Sequence, residues 1–350
     1  MKIHENKPLQ EITTMRVGGP ARYLVTVESP ADASSAFAFA HAHNLPVFIL
    51  GGGSNVIFSD AGYSGVVIQP KMLQKTIVLE NEDTVLVKVG AGEVWDEVVA
   101  DMASRGFWGI ENLSHIPGLT GAVVIQNVGA YGQEASQVVH EVELLEIKTG
   151  AVRKFDALQC CFGYRTSIFN TTEKGRYLVL SITFRLTKNG SANLSYRDVQ
   201  THFTGRKAEE LGLADMREAV IAIRSAKLPD WKVVGTAGSF FKNMLIPEPQ
   251  LVDVERAVFL VGGEVALGTL RQIIKSENSK VKIPTAYLIE LLGLKGYRYG
   301  GASISTKHAL VIENAGEATT SDILTLASMV CDALYTTFGL VVELEPEIVN

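Results

Sequence analysis

The chain has 350 residues, of which 47% are apolar and 20% charged. That balance is ordinary for a folded protein, and the length gives room for two or three domains without disulfide or metal staples. A net charge of −6, from 32 basic and 38 acidic residues, argues against a general nucleic-acid binder, which needs a basic excess.

Ala21 to Glu28 reads as a strand. Ser29 then caps a helix with Pro30 at its first position, running to about Asn44. Pro46 to Leu50 is a short buried strand that ends in Gly51-Gly52-Gly53-Ser54-Asn55, and Val66 to Ile68 is a third strand. This β-α-β order sets the glycine loop at the carboxyl end of a strand, where α/β folds bind ligands. Thr84 to Val89 alternates as a strand, and a helix follows from Glu93 to Ser104, ended by Gly106. After the glycine-rich stretch Glu111 to Gly132, Val139 to Ile147 and Val152 to Phe155 form a hairpin around Thr149-Gly150. Tyr177 to Leu186 is another strand. Glu209 to Ala226 is mostly helical, and Leu228-Pro229-Asp230 breaks it. Thr285 to Leu292 is a helix. Ile323, Leu326, Val330, Leu334 and Phe338 recur at helical spacing behind a Ser321 cap, and Gly339 closes that helix. Leu340 to Glu345 alternates as a final strand. Boundaries fall near Lys71 and near Leu211 to Met216.

Other classes are narrowed by residue usage. Cys160, Cys161 and Cys331 fit neither a zinc spacing nor a disulfide framework, so a reduced, cytoplasmic setting is expected. The first residues, Met1 to Lys7, lack the apolar core of a signal peptide. No apolar run reaches the ~18 residues of a membrane span, so no membrane partner is expected. The seven histidines are scattered, and no metal is expected.

Six segments carry polar chemistry. Gly51, Gly52, Gly53, Ser54 and Asn55 offer successive backbone amides with no Cβ in the way, which suits a pyrophosphate nest. The spacing is neither that of a P-loop nor of the dinucleotide fingerprint, and a plain turn is the bland alternative. Ile116-Pro117-Gly118, Gly121-Ala122 and Gln126-Asn127-Val128-Gly129-Ala130-Tyr131-Gly132 form either a tight corner or a backbone cradle for a planar cofactor. Gly163-Tyr164-Arg165 sets one guanidinium among aromatic neighbours, where it calls for an anionic partner: a substrate or a structural carboxylate. Ser239, within Ala237-Gly238-Ser239-Phe240-Phe241-Lys242-Asn243, lacks the elbow of a hydrolase nucleophile and suits a proton donor better. Arg224 and Lys227, and the tail Glu345-Pro346-Glu347, either grip ligand or solvate the surface.

Taken in order, these motifs resemble the UDP-N-acetylenolpyruvoylglucosamine reductase family, the UDP-N-acetylmuramate dehydrogenases, from about Thr14 to Glu347. The resemblance implies an α+β protein: an FAD-binding fold of the vanillyl-alcohol-oxidase type, made of two α/β subdomains at 1–70 and 71–215, and a C-terminal α+β substrate-binding domain at 216–339. The strand at 340–350 would pack back near the first subdomain. It implies non-covalent FAD, NADPH as co-substrate and UDP-N-acetylglucosamine enolpyruvate as substrate, in a monomer of the bacterial cytoplasm that serves peptidoglycan precursor synthesis.

By motif position the resemblance puts the glycine, proline, glutamine and asparagine segments above on the flavin. It makes Arg165, Ser239 and Glu347 catalytic: a charge stabiliser, the proton donor to C2, and an acid, protonated or sharing a proton, that hydrogen-bonds the substrate carboxylate. Tyr164, Tyr196, Arg224, Lys227 and Asn243 would meet the substrate. Leu194 to Asp198 is similar to the covering loop of one subtype, whereas Ser305 to Ala309 is similar to the other. Two further readings stand beside this one. A sugar or alcohol oxidase on the same fold often tethers its flavin through a histidine or cysteine near the first glycine loop, and neither is present here. A non-catalytic nucleotide-sugar binder would have no need of Arg165, Ser239 and Glu347 together.

Overall fold

The computed structural model describes residues 1–277 and 279–350. Chain contacts divide them into two compact units, each drawn from separate stretches: residues 1–7, 21–52 and 64–225 in the first, and 8–20, 53–63 and 226–350 in the second. Elements are numbered in chain order across both.

The first unit includes a four-stranded sheet with strand order β1 (Lys2–Pro8), β2 (Pro20–Val27), β5 (Tyr63–Pro70), β3 (Val47–Ile49). The pair β3 and β5 is parallel, and α1 (Pro30–Ala42) connects β2 to β3. Ser29 caps α1 as the sequence predicts, its Oγ accepting from Asp32 N at 3.1 Å. Ala33, Ala36, Phe37 and Ala40 on one face of α1 pack against Val25, Val66 and Ile68.

A second, antiparallel sheet runs β11 (Val152–Asp156), β10 (Val139–Glu146), β12 (Tyr177–Thr187), β7 (Thr84–Gly90), β6 (Lys75–Glu80). Its alternating inward residues, such as Val85, Val87 and Val89, meet Trp95, Val98, Val99 and Met102 of α2 (Trp95–Ser104). The helix begins at Trp95, not at Glu93, because Glu93 turns back to bond Gly90 O at 3.2 Å. The short α3 (Thr120–Val123) and the small hairpin of β8 (Gly129–Ala130) and β9 (Gln133–Glu134) lie in the glycine-rich stretch.

α4 (Arg197–His202) and α5 (Leu213–Lys227) complete this unit. α5 starts at Leu213, after a separate 3-10 turn at Ala208–Glu210. Its Met216, Ala219 and Ile223 pack with Val199, Phe203 and Leu211. The division therefore falls after residue 225, and the boundary expected at 215/216 lies inside a helix.

The second unit includes the sheet β13 (Gly235–Ser239), β19 (Val311–Asn314), β18 (Ala302–Ile304), β17 (Arg298–Tyr299), and the sheet β14 (Met244–Pro247), β16 (Lys280–Ile283), β15 (Lys275–Glu277). α6 (Leu251–Ile273), α7 (Thr285–Leu291) and α8 (Thr320–Phe338) bury Val254, Val258, Leu288, Ile323, Leu326, Val330 and Leu334 around Phe240 and Phe241. Two expectations are corrected here. The cap of α8 is Thr319, whose side chain accepts from Asp322 N, two residues ahead of the expected Ser321. The final strand is β20 (Glu347–Val349), parallel to β4 (Val56–Phe58), whereas Leu340 to Glu345 makes only a single bridge, Leu344 to Phe241. Pro346, with no N–H, separates the two stretches.

Candidate active site

Two glycine segments meet in the first unit. A Cβ on Gly52 would lie 2.6 Å from Gly118 Cα, and one on Gly51 would lie 3.2 Å from Ala122 Cβ. Gly121 packs as tightly on Ala91, at 2.8 Å. Only bare backbone allows this approach. The loop after β3 thus runs against the loop before α3, main chain to main chain. That is the cradle an extended pyrophosphate would need, and these residues fit the flavin nucleotide that the sequence motifs imply. Gly53 is left-handed, φ +66°. In the second unit its bare Cα admits Ile12 O, which a Cβ would meet at 2.3 Å, and its carbonyl accepts from Thr14 N at 3.0 Å.

Arg165 occupies a corner of a tight turn. Gly163 and Thr166 exchange both backbone bonds, at 2.9 and 3.2 Å, and Arg165 between them is left-handed with φ +56°. A non-glycine residue there costs on the order of 1 kcal/mol and persists when its surroundings demand it. Those surroundings are visible: Arg165 Nη2 donates to Gly129 O at 2.9 Å, and the guanidinium stands 5.6 Å from the Tyr164 ring centre. Gly129 opens a hairpin whose two-residue loop is Tyr131-Gly132, with φ +49° and +84°. Both central residues are positive, as a type I′ turn demands, although Tyr is a poor choice for that conformation. Asn127 joins turn to hairpin. It is 1% exposed, its Nδ2 donates to Glu134 Oε2 at 2.9 Å and Gly163 O at 3.1 Å, and its Oδ1 accepts from Ser136 N at 2.9 Å. With its side chain committed to protein, Asn127 serves this site by shaping it; Gln126 beside it is half-buried.

Arg224 joins the same cluster. Its Nε donates to His115 O at 3.1 Å, and its guanidinium lies close enough to the Tyr131 phenol for the two to interact electrostatically. Burial works against its charge and Arg165 nearby adds to that, holding it below the usual guanidinium range. Burial likewise pushes the Tyr131 phenol up, with Arg224 opposing. The Tyr131 and Tyr196 rings meet edge to face, centres 5.2 Å apart. Two guanidiniums and three phenols from Tyr131, Tyr164 and Tyr196 thus share one neighbourhood of the first unit, a setting that suits an anion.

Sequence reasoning missed what supports it. Arg217 grips Asp96 with both arms, at 2.7 and 3.2 Å, and Asp96 Oδ1 also accepts from His115 N at 2.6 Å. Burial raises the Asp96 carboxyl, but Arg217 and the His115 amide outweigh it and hold it below the usual carboxylate range. The seven-residue spacing of Arg217 and Arg224, two turns on one helix face, was the available signal.

In the second unit Ser239 ends β13. The strand slips register between Thr236 and Ser239, where Gly238 is left-handed at φ +73°. This bulge re-aims the serine. The tail runs alongside: Glu345 N donates to Phe240 O at 2.9 Å, and Lys242 N to Glu343 O at 2.9 Å. Asn55 Nδ2 then donates to Glu345 O at 3.1 Å, and Glu347 N to Asn55 O at 3.0 Å. Ser239, the tail carboxylates and the Ser54-Asn55 end of the glycine loop therefore share one framework. Asn243 Oδ1 accepts from Thr285 N at 3.1 Å and so caps the start of α7. Lys227 is exposed. Among the described residues no group of three His, Cys, Asp or Glu gathers to hold a metal, and no helix is long and apolar enough to cross a membrane.

Comparison with known proteins gives this geometry a family. An FAD binding domain model matches residues 21–156. A model of the C-terminal domain of UDP-N-acetylenolpyruvoylglucosamine reductase matches residues 229–349. The UDP-N-acetylenolpyruvoylglucosamine reductase of Burkholderia multivorans is 37% identical, over 99% of this chain and 96% of its own length. The chain belongs to the UDP-N-acetylenolpyruvoylglucosamine reductase family. The reductase of Bdellovibrio bacteriovorus is 36% identical over 99% of both chains. A solved UDP-N-acetylenolpyruvylglucosamine reductase from Thermus caldophilus superposes with TM-score 0.68 at 26% identity, covering 100% of this chain and 98% of that one. The family's architecture, an FAD-binding domain followed by a C-terminal domain of the reductase, is the fold class that the motifs implied.

Proposed function

We propose that this reductase converts UDP-N-acetylglucosamine enolpyruvate to UDP-N-acetylmuramate with NADPH, in the cytoplasm and through non-covalent FAD, as a step of peptidoglycan precursor synthesis. The observation that carries this reading is full-length membership in the family, 37% identity over 99% of the chain. The glycine cradle at Gly51, Gly52 and Gly118, with no cysteine or histidine in Gly51 to Asn55, supports a flavin held by contacts alone.

Bound FAD would supply the redox chemistry, taking hydride from the nicotinamide and delivering it to C3 of the enolpyruvyl group. The residues handle the charge that results. Hydride at C3 leaves an electron pair at C2, delocalised onto a carboxylate that is already an anion. Arg165 has the fixed positive charge that this demands, and its left-handed turn presents the guanidinium ready-made, with no reorganisation during reaction. Ser239 Oγ, half-buried after its bulge, would deliver the proton to C2. Glu347, sharing a proton with the substrate carboxylate, would bind it more tightly as its charge grows. Arg224, Lys227, Asn243, Tyr164 and Tyr196 would hold the nucleotide sugar.

The test is optical. The purified protein should be yellow, bleach on anaerobic addition of NADPH, and regain colour when the enolpyruvyl nucleotide sugar follows. A colourless protein, or one recoloured only by oxygen, would point to the nucleotide-sugar binder or the oxidase instead.

A further inference from the structure

Asp96, Arg217 and His115 have no part in the roles above, yet they form one connected bracket in the first unit. Asp96 sits in the first turn of α2. Arg217 on α5 meets it with a two-armed fork, and Arg217 Nη1 also donates to Ser114 Oγ at 2.9 Å. The second acceptance by Asp96, from His115 N at 2.6 Å, pins the next peptide. His115 is left-handed, φ +59°, a conformation that a non-glycine residue keeps only when its surroundings hold it. In that conformation its carbonyl takes the Nε–H of Arg224 at 3.1 Å. The Arg224 head so held lies near the Tyr131 phenol.

The bracket does two things at once. The fork fixes the face that α5 turns toward α2, and Arg217 and Arg224, seven residues apart, share that face. The amide bond fixes the direction of the His115 carbonyl. Both converge on one group, the Arg224 head. A long arginine side chain held in advance loses less freedom when a ligand arrives, so its grip is tighter. Asp96 suits this work because both carboxylate oxygens are used against planar or fixed donors. An asparagine would keep one acceptor and lose the charge.

We infer that Asp96 and Arg217 are positioning residues, which hold the His115 carbonyl on Arg224 and so present the Arg224 guanidinium, beside Arg165, to an anionic group of the nucleotide-sugar substrate. This rests on the reading of Arg224 as a substrate contact. Neither Asp96 nor Arg217 touches substrate itself; each acts through Arg224.

The test is a double-mutant cycle on the FAD-loaded protein, with affinity for UDP-N-acetylglucosamine enolpyruvate measured by calorimetry on the oxidised enzyme. Asp96→Asn should weaken binding roughly tenfold, the scale of a charge-assisted hydrogen bond, with flavin content and melting temperature close to wild type. Added to Arg224→Ala, the same substitution should weaken binding no further, because its effect passes through the missing side chain. A merely structural role predicts additive losses, and additive losses overturn the inference. Asp96→Asn at wild-type affinity, beside a weakened Arg224→Ala, also overturns it while leaving Arg224 as a contact. Arg224→Ala at wild-type affinity sinks both readings. Arg217→Met breaks the fork from α5, and stands in for Asp96→Asn in the same cycle if that variant loses its flavin.

Discussion

Glu345 donates its backbone N–H to the carbonyl of Phe240 at 2.9 Å, which stitches the C-terminal tail to the residue that follows Ser239. The stitch continues on both sides. Leu344 bridges Phe241, and Glu347 bonds Asn55. In the second unit, then, a hydroxyl and two carboxylates are held by main-chain bonds on one framework. Main-chain bonds of this kind survive substitution of the side chains they position. Variants at Ser239 and Glu347 can therefore be read as chemistry, with little change of fold.

Flavin attachment is the first expectation to check. Gly51 to Asn55 contains no cysteine or histidine to form a tether, so acid precipitation should release all the yellow colour into the supernatant. Colour retained in the pellet would mean a covalent link and would favour the oxidase reading.

Gly52→Ala should abolish flavin retention. Its Cβ would meet Gly118 Cα at 2.6 Å and Gly118 C at 3.1 Å, backbone against backbone, where no rotamer change gives relief. Gly268→Ala is the contrasting control. Nothing lies within 4 Å of a Cβ there, the site is within α6, and replacing a helical glycine should stabilise by about 1 kcal/mol. Absorbance per chain and urea melts report both. Full flavin occupancy in Gly52→Ala would remove the cradle from its assigned place.

What the sequence made legible was local. Ser29 and Pro30 announce α1 by chemistry confined to four residues, and the structure keeps that cap. α6 went unread, although it spans 23 residues, because Gly262-Gly263 interrupts its periodicity; Gly263 leaves helical geometry altogether at φ +68°. The final strand was misplaced because its partner, Val56–Phe58, lies near the other end of the chain. Alternation in Leu340 to Glu345 had no means of showing which stretch would pair. At the site, the glycine segments and Arg165 were legible as motifs. The bracket of Asp96 and Arg217 was not: the spacing of Arg217 and Arg224 marks a shared helix face, but 121 residues separate Arg217 from Asp96, so nothing in the pattern names its partner.

Ser239→Ala should separate the two half-reactions. Flavin reduction by NADPH needs no proton from the protein at C2, so bleaching should stay close to wild type. Recolouring by the enolpyruvyl substrate should slow by roughly 10²–10⁴, the usual worth of a positioned general acid. The bulge at Gly238 is a backbone feature and survives the change, so the fold should be intact by melting temperature. Equal loss in both halves would make Ser239 a structural residue.

Glu347→Gln should slow the second half-reaction with little change in substrate affinity. The substrate carboxylate carries one negative charge before hydride arrives and more after it. A shared proton from Glu347 strengthens only as that charge grows, so it lowers the barrier without tightening the ground state. Glutamine keeps the shape, and β20 stays paired because Glu347 reaches Asn55 through its backbone N–H. It donates a hydrogen bond but has no proton to share. Glu345→Gln is the control, because Glu345 is likewise fixed by its main chain, through Phe240 O and Asn55 Nδ2. It should react near the wild-type rate. Stopped-flow reoxidation of the reduced enzyme reads both variants, and substrate titration of the oxidised enzyme gives the affinities. A crippled Glu345→Gln beside a normal Glu347→Gln would shift the catalytic carboxylate by two residues, onto the stretch that bonds Phe240.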